Sequence, residues 1–158
     1  MTIKPVTPED RERIRVILLQ RNVFNRMEVE VALEVLDDYF SKGMESGYET
    51  YGFYSPSGLE GYICFGAIPM TDDRYDLYWI AVDEGVSQQG VGKALLSFME
   101  KNIGDRGGRK IYVETSSTPP YHPARSFYRK NGYAVAAVLE EYYRSGDDKI
   151  VFLKDLPC

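Results

Sequence analysis

Hydrophobic side chains recur along the chain with the two periods that distinguish helices from strands. Val29, Leu33 and Leu36 share one helical face, whereas Asp76 to Val82 is dense in β-branched and aromatic residues. Helices are predicted for residues 9–20, 27–43, 90–103 and 123–130. Strands are predicted for residues 3–6, 48–54, 62–68, 76–82, 110–115, 134–142 and 149–154.

This order of elements predicts an α/β (α+β) architecture, a mixed central sheet of about seven strands flanked by about four helices. Strand 76–82, helix 90–103 and strand 110–115 form one right-handed crossover between parallel strands. A length of 158 residues fits a single domain spanning residues 1–158.

Charge and cysteine content narrow the function classes. The chain has 19 basic and 24 acidic residues, which argues against nucleic-acid binding because that function favours a basic surface. Cys64 and Cys158 give neither a disulfide framework nor a zinc spacing, so we expect no metal and a reduced, cytoplasmic setting. We expect no signal peptide, since the first residues contain no apolar h-region, and no membrane partner, since no apolar run approaches the about 18 residues of a membrane span.

A glycine turn, Gly90-Val91-Gly92, lies between strand 76–82 and helix 90–103. A helix N-terminus offers free backbone N–H groups, and glycine lets a phosphate approach them. The same glycines also suit a tight turn that binds nothing. A dinucleotide fingerprint would need Gly or Ala at Leu95, and a Walker loop would need Ser or Thr at Ala94, so the turn alone leaves its ligand open.

The neighbouring segments resemble a known family. Trp79-Ile80-Ala81-Val82-Asp83, followed by Gln89-Gly90-Val91-Gly92-Lys93-Ala94-Leu95-Leu96, resembles the coenzyme-A-binding motif of the GNAT superfamily of N-acetyltransferases. The block from Ala124 to Tyr133 resembles the A-x-x-F-Y-x-x-x-G-F/Y pattern of that superfamily. The order of elements is also similar along essentially the whole chain.

This resemblance implies a GNAT-like acyl-CoA N-acyltransferase fold and acetyl-CoA as co-substrate. The pantetheine arm is expected between strands 76–82 and 110–115, which should splay apart, and the pyrophosphate on the N–H groups of residues 88–93. The residues expected to bind the cofactor are Ile80, Ala81, Val82, Gln88, Gln89, Gly90, Val91, Gly92, Lys93, Tyr121, Phe127 and Tyr128.

Two positions depart from the family pattern. Ser87 stands where members usually have Gln or Arg, which leaves main-chain binding intact because that needs no particular side chain. Tyr121 stands where many members have Asn, so its hydroxyl either replaces the amide or leaves the contact to main chain.

Acetyl transfer to an amine requires a base, because a free alkyl ammonium titrates near ~10.4. Asp76 stands where the histone acetyltransferase branch carries its catalytic Glu, and Glu114 stands where the ribosomal-protein acetyltransferase branch has a Glu. Either carboxylate could instead be a surface charge. Period-two alternation predicts Asp76 on the face of Tyr78, Ile80 and Val82, and Glu114 away from the core face of its own strand. A water chain to either carboxylate is a further alternative.

An acid for the leaving sulfur is expected at Tyr128, because the tyrosine of the family at this place lies near the cofactor sulfur; the alternative is a residue that only packs there. His122 is a less favoured base, since it lies in a proline-rich loop. Tyr75 and Tyr78 are expected in the acceptor pocket; the alternative is that each is only an amphipathic strand residue.

The function implied is transfer of an acetyl group from acetyl-CoA to an amine by direct attack in a ternary complex, with the Val82 N–H polarising the thioester carbonyl. The acceptor stays open among a small molecule, an amino acid and a protein N-terminus or lysine. A non-catalytic acyl-CoA-binding or sensor module and a protein-interaction domain are the alternatives. A homodimer is common in such folds and stays open here.

Overall fold

A seven-stranded mixed sheet forms the centre of the computed structural model, which describes residues 1–20 and 23–157. Its strand order is β1-β2-β3-β4-β5-β7-β6, and only β4 and β5 are parallel neighbours. The strands are β1 (Thr2–Pro5), β2 (Glu49–Ser55), β3 (Gly58–Ala67), β4 (Arg74–Val82), β5 (Lys110–Ser116), β6 (Ala134–Arg144) and β7 (Asp147–Asp155). The predicted mixed sheet is confirmed; Cys158 lies outside the described residues.

Four α-helices cover the two faces of this sheet: α1 (Arg11–Leu19), α2 (Arg26–Lys42), α3 (Val91–Asp105) and α4 (His122–Lys130). Helix α1 begins later than predicted, because Pro8–Asp10 forms a 3₁₀ turn and the α-helix starts after it. Asn25 caps α2 by accepting a hydrogen bond from the Glu28 N–H at 2.8 Å, while Glu28 accepts one from the Asn25 N–H.

Each face of the sheet carries its own hydrophobic core. On one face, Leu95, Met99 and Ile103 of α3 are buried against sheet residues such as Phe65 and Phe152. On the other, α1 and α2 pack against the sheet around Tyr62. Residues of β4 belong to both cores, so the side toward which each β4 side chain points decides its role.

The pairing between β4 and β5 stops halfway along both strands. It runs from Arg74↔Lys110 to Leu77↔Val113 and goes no further, while β5 continues to pair with β7 as far as Ser116. The second half of β4 therefore separates from β5 and leaves a gap in the sheet. The predicted splay of these two strands is confirmed.

A β-bulge in β4 lies at the start of this gap. Cys64 of β3 pairs with Trp79 and Phe65 pairs with Leu77, which leaves Tyr78 as an extra residue. The extra residue reverses the alternation of side chains, so Leu77 before it and Ile80 after it both contribute to the α3-side core.

The predicted orientation of Asp76 is therefore wrong in part. Tyr75 and Leu77 belong to the α3-side core, which directs the intervening Asp76 toward the α1–α2 face. Asp76 shares this face with Tyr78, whose ring packs against Tyr48, but not with Ile80 or Val82. The cause is the bulge, because simple period-two alternation cannot account for an inserted residue.

Candidate active site in the gap of the sheet

A cleft of about 1350 Å³ occupies the gap between β4 and β5 and continues to the beginning of α3. Its walls are the second half of β4, the end of β5, the N-terminal turn of α3, helix α4 and the β6–β7 hairpin. The cleft brings together most of the predicted site residues, namely Asp76, Ile80, Ala81, Val82, Gln88, Gly90, Gly92, Lys93, Glu114, Tyr121, Phe127 and Tyr128.

The glycine turn presents the N-terminus of α3 to one end of this cleft. Gly90 is the N-cap residue and has φ +86°, a left-handed conformation that glycine adopts without a steric cost. The first helical bond is made by the Ala94 N–H to the Gly90 carbonyl at 2.9 Å. Within the described ranges, the N–H groups of Val91, Gly92 and Lys93 have no backbone acceptor, so they can bind an anion.

Two predicted cofactor-binding residues contribute less than expected. The Gln89 N–H donates to the Val86 carbonyl at 3.2 Å, which ties it into the preceding turn. The Val91 side chain is buried in the α3-side core and can offer the cleft only its backbone. Ser87, the departure from the family pattern, lines the cleft together with Gln88, which has φ +66°.

An anchor to α1 holds the start of the turn. Asp83 accepts hydrogen bonds from the Arg13 guanidinium at 2.5 Å and from the Gln20 amide at 3.2 Å. It also accepts one from the Gly85 N–H at 2.7 Å. These donors lower the pKa of the Asp83 carboxyl against the opposing effect of burial, which raises it. Arg13 is separated from Asp83 by 70 residues, and no sequence signal identifies the pair.

The backbone of β4 leaves the Val82 N–H directed toward the gap. The Asp83 N–H donates to the Glu60 carbonyl, on the β3 side, at 2.8 Å. Because backbone groups alternate along an extended chain, the Val82 N–H points to the opposite edge, where β5 has separated. A carbonyl or amide that enters the gap can therefore pair with β4 as a strand would.

Tyr128 projects from α4 into the middle of the cleft. Its ring packs among Phe127, Tyr133 and Phe152, with centroids 5.7 to 5.9 Å apart, and the residue is buried. Burial raises the pKa of its hydroxyl, which keeps the group protonated. The described residues supply no hydrogen-bond partner for this hydroxyl, although the phenol lines the cleft.

Phe127 and Gly92 narrow the cleft beside the helix N-terminus. A Cβ added to Gly92 would lie 3.4 Å from the Phe127 ring and 3.6 Å from Val82. Phe127 also packs against the α3-side core, as predicted for a residue with one edge on the cleft. A side chain at position 92 would therefore project toward the space between α3 and α4.

The Tyr121 hydroxyl makes a hydrogen bond within the protein. The hydroxyl donates to Glu28 of α2 at 2.5 Å, which links the α4 end of the cleft to the α2 N-terminus. The Tyr121 ring is also 6.2 Å from Phe24, whose ring lies 5.4 Å from Trp79. Because the Tyr121 hydroxyl is already bonded to Glu28, the structure favours the alternative in which main-chain groups make the contact that the asparagine makes in other family members.

The two candidate bases lie beside each other on neighbouring strands. Asp76 pairs in register with Tyr112, two residues before Glu114, so all three share one face of the sheet. Burial first, and then the Glu114 charge, raise the pKa of Asp76 to about 6, against the opposing charge of Lys149. Glu114 is exposed, as predicted, and Lys149 contacts its carboxylate at 3.0 Å.

The far end of the cleft is aromatic and acidic. Tyr78, predicted for the acceptor pocket, lines it together with Trp79, Tyr143 and the two carboxylates. Tyr75, predicted for the same pocket, does not line the cleft: its ring packs on the α3 side of the sheet beneath Arg106, 5.5 Å away, because alternation along β4 directs residues 75 and 78 to opposite faces.

His122 begins α4 with an exposed side chain and is absent from the cleft wall, which removes the geometric support for a role as base. Among the residues that the structure describes, no three His, Cys, Asp or Glu side chains form a metal-binding group. In the same residues, no helix is both long and apolar enough to cross a membrane.

A family model decides the assignment. Residues 46–135, more than half of the chain, match the acetyltransferase (GNAT) domain. The chain belongs to the GNAT family of acetyltransferases. Similar proteins include YdhI of Bacillus subtilis (strain 168), an uncharacterized protein that is 29% identical over 119 residues, which are 70% of this chain and 73% of YdhI.

Solved GNAT structures share the whole architecture. A protein assigned to the GNAT family from Desulfovibrio desulfuricans is 34% identical, with a TM-score of 0.94 over 99% of both chains. The ribosomal-protein-S18-alanine N-acetyltransferase of Escherichia coli is 20% identical, with a TM-score of 0.77 over 99% of this chain and 94% of that one. An aminoglycoside 6′-N-acetyltransferase in complex with coenzyme A has a TM-score of 0.75 at 19% identity and covers 100% and 99% of the two chains.

Proposed function

We propose that this GNAT protein transfers an acetyl group from acetyl-CoA to an amine by direct attack in a ternary complex. The observation that carries the proposal is one continuous cleft that connects the α3 N-terminus, the Tyr128 phenol and the Asp76–Glu114 carboxylates. The cleft thus contains a candidate binding site, a candidate proton donor and a candidate proton acceptor, the three functions that the reaction needs. Acetyl-CoA supplies the acetyl group as a thioester.

The residues of the cofactor half fit this co-substrate. The free N–H groups of Val91, Gly92 and Lys93 bind the pyrophosphate, helped by the positive end of the α3 dipole. The Val82 N–H, directed into the gap, polarises the thioester carbonyl. Tyr128 donates a proton to the departing sulfur, since its phenol is protonated and makes no competing hydrogen bond with the described residues.

Asp76 is the proton acceptor that we favour over Glu114. With a pKa of about 6, Asp76 is largely ionised at neutral pH and still basic enough to accept a proton. Glu114 is held in an ion pair by Lys149, which reduces its availability as a base. A bridging water can join Asp76 to the amine.

The acceptor half favours a cationic amine without a neighbouring carboxylate. Its charged groups are Asp76 and Glu114, and its aromatic groups are Tyr78, Trp79 and Tyr143. Two of the nearby cations are paired with carboxylates: Lys149 with Glu114 at 3.0 Å, and Arg144 with Asp147 at 2.5 Å. A free amino acid would place its carboxylate beside Asp76 and Glu114, whose negative charges would repel it.

Release of free thiol from acetyl-CoA in the presence of an amine panel tests the proposal. We expect turnover with primary alkyl or aryl amines and at least about 10-fold lower kcat/KM with the corresponding α-amino acids, since one unfavourable charge contact costs about 1.4 kcal/mol or more. Tight binding of acetyl-CoA without thiol release for any amine or peptide would instead favour a non-catalytic acyl-CoA-binding module.

The pH profile tests the role of Asp76. A base must be deprotonated to act, so kcat/KM of the wild type should rise as the pH increases through about 6, the pKa of Asp76. Asp76→Asn should lower kcat by about 100-fold and remove this acidic limb. Glu114→Gln is the matched variant and should retain most activity, with the limb moved to lower pH; an intact limb in Asp76→Asn would exclude Asp76 as the base.

A further inference from the structure

Lys149 is the basic partner of the carboxylate pair, although it lies two strands away from Asp76. Glu114 of β5 pairs with Val151 of β7, and Lys149 precedes Val151 by two residues, so Lys149 and Glu114 are diagonal neighbours on one face of the sheet. Their Nζ and Oε2 atoms are 3.0 Å apart. The Lys149 side chain is only 11% exposed, whereas the Glu114 side chain is 52% exposed.

An aromatic ring holds the same ammonium group from another side. The Lys149 Nζ lies 3.9 Å from the centroid of the Tyr142 ring, within the range of a cation–π contact. A lysine on an open surface moves freely and screens its neighbours weakly. Lys149 is confined between a carboxylate and an aromatic face, so its charge stays at a fixed place beside Glu114.

Charged and titratable groups approach Asp76 from several elements. Tyr78 comes from β4 itself and Tyr48 from the residue before β2, while Glu114 and Lys149 come from β5 and β7. A second cavity of about 670 Å³, which Asp76 and Glu114 also line, adds Asp72 and Arg74. Arg74 donates to the Asp72 carbonyl at 2.7 Å, and Lys149 is the cation that acts on Asp76.

These contacts place opposing charges around a half-buried carboxylate. Burial and the Glu114 charge both favour the protonated form of Asp76, and the Lys149 charge favours the ionised form. Without Lys149, Glu114 would act on Asp76 at full strength. The protein would then hold two adjacent carboxylates without the ammonium group that pairs with Glu114.

We propose that Lys149 is a positioning residue for the proton acceptor: by holding Glu114 in an ion pair, it keeps Asp76 ionised and ready to receive the proton of the amine. This inference rests on the proposed function, in which Asp76 is the base. Lys149 thereby affects the protonation of Asp76, although Lys149 lies on another strand and contacts Glu114.

Titration of the Asp76 carboxyl carbon by NMR tests the inference directly, in the full chain and without substrate. In Lys149→Met, we expect the titration midpoint of Asp76 to rise by about one pH unit, because a nearby opposite charge shifts a carboxyl by about one to three units. Lys149→Arg, which keeps the charge, should return the midpoint to its wild-type value. Glu114→Gln should lower the midpoint, and it serves as a second variant if Lys149→Met does not fold.

The acidic limb of kcat/KM should move in the same direction and by the same amount as the NMR midpoint. An Asp76 midpoint that is equal in Lys149→Met and wild type would overturn the role of Lys149, as would a failure of Lys149→Arg to restore it. The NMR midpoint is measured without turnover, so its outcome is independent of the outcome of the amine panel. A protein that transfers no acetyl group yet shows the shift would refute only the proposed function.

Discussion

Replacement of Tyr128 by phenylalanine should lower kcat by at least about 100-fold and leave the affinity for acetyl-CoA nearly unchanged. The substitution removes only a hydroxyl that lines the cleft and has no partner among the described residues, so the packing of the ring against Phe152 is preserved. Loss of a general acid typically costs 10²- to 10⁴-fold in rate. Steady-state kinetics with calorimetric titration of acetyl-CoA measure the two quantities separately.

Tyr133 provides the matched control for this substitution. It is also a buried tyrosine near α4, but its hydroxyl donates to Glu100 at 2.9 Å and it is not part of the cleft wall. Tyr133→Phe should lower the free energy of unfolding by about 1.5 to 3 kcal/mol, since a hydrogen bond to a charged group is lost, and leave kcat unchanged. Equal kcat values for Tyr128→Phe and wild type would remove Tyr128 from the mechanism.

Replacement of Gly92 by aspartate should separate binding from stability. A carboxylate in the first turn of α3 interacts favourably with the helix dipole, so the melting temperature should stay the same or rise. The same carboxylate would compete for the N–H groups that we propose as the pyrophosphate site, and it would repel the charge of the pyrophosphate. We expect the Kd for acetyl-CoA to increase by about 100-fold, which corresponds to the loss of one or two charge-assisted hydrogen bonds.

Gly92→Asn controls for size, because its side chain has the shape of aspartate without the charge. It should weaken acetyl-CoA binding much less than Gly92→Asp, since its Cβ would make only an ordinary contact with Phe127. Equal losses for both variants would mean that crowding between α3 and α4, rather than charge, controls the site. Unchanged affinity in both would place the pyrophosphate elsewhere.

Local sequence patterns predict the elements well, and most of the residues predicted to bind the cofactor lie on the cleft wall. The glycine turn depends on Gly90, whose conformation and capping position follow from its residue type and its neighbours. The place of Tyr128 follows from helix α4 and its motif, which the family resemblance identifies. These features depend on residues that are close together in the chain, where periodicity and motif spacing carry the information.

The parts of the site that depend on contacts between distant segments were less predictable, in both halves of the cleft. Tyr121 contacts Glu28 across 93 residues, and Arg13 contacts Asp83 across 70. The ion pair of Lys149 with Glu114 requires that β7 lie beside β5, and a linear pattern does not give that strand order. Sequence analysis therefore found both carboxylates but missed the cation beside them.

The bulge in β4 divides the strand into two segments that can change independently. Before Tyr78, the even-numbered Asp76 faces the acceptor side, whereas after it the even-numbered Ile80 and Val82 face the α3 layer. A library that randomises position 78 and keeps Asp76 as the base would vary amine selectivity with little disturbance of the cofactor half. Deletion of the single residue Tyr78 would remove the bulge and leave both segments facing as they do now, since Leu77 and Trp79 would then pair with the adjacent Phe65 and Cys64 in regular alternation.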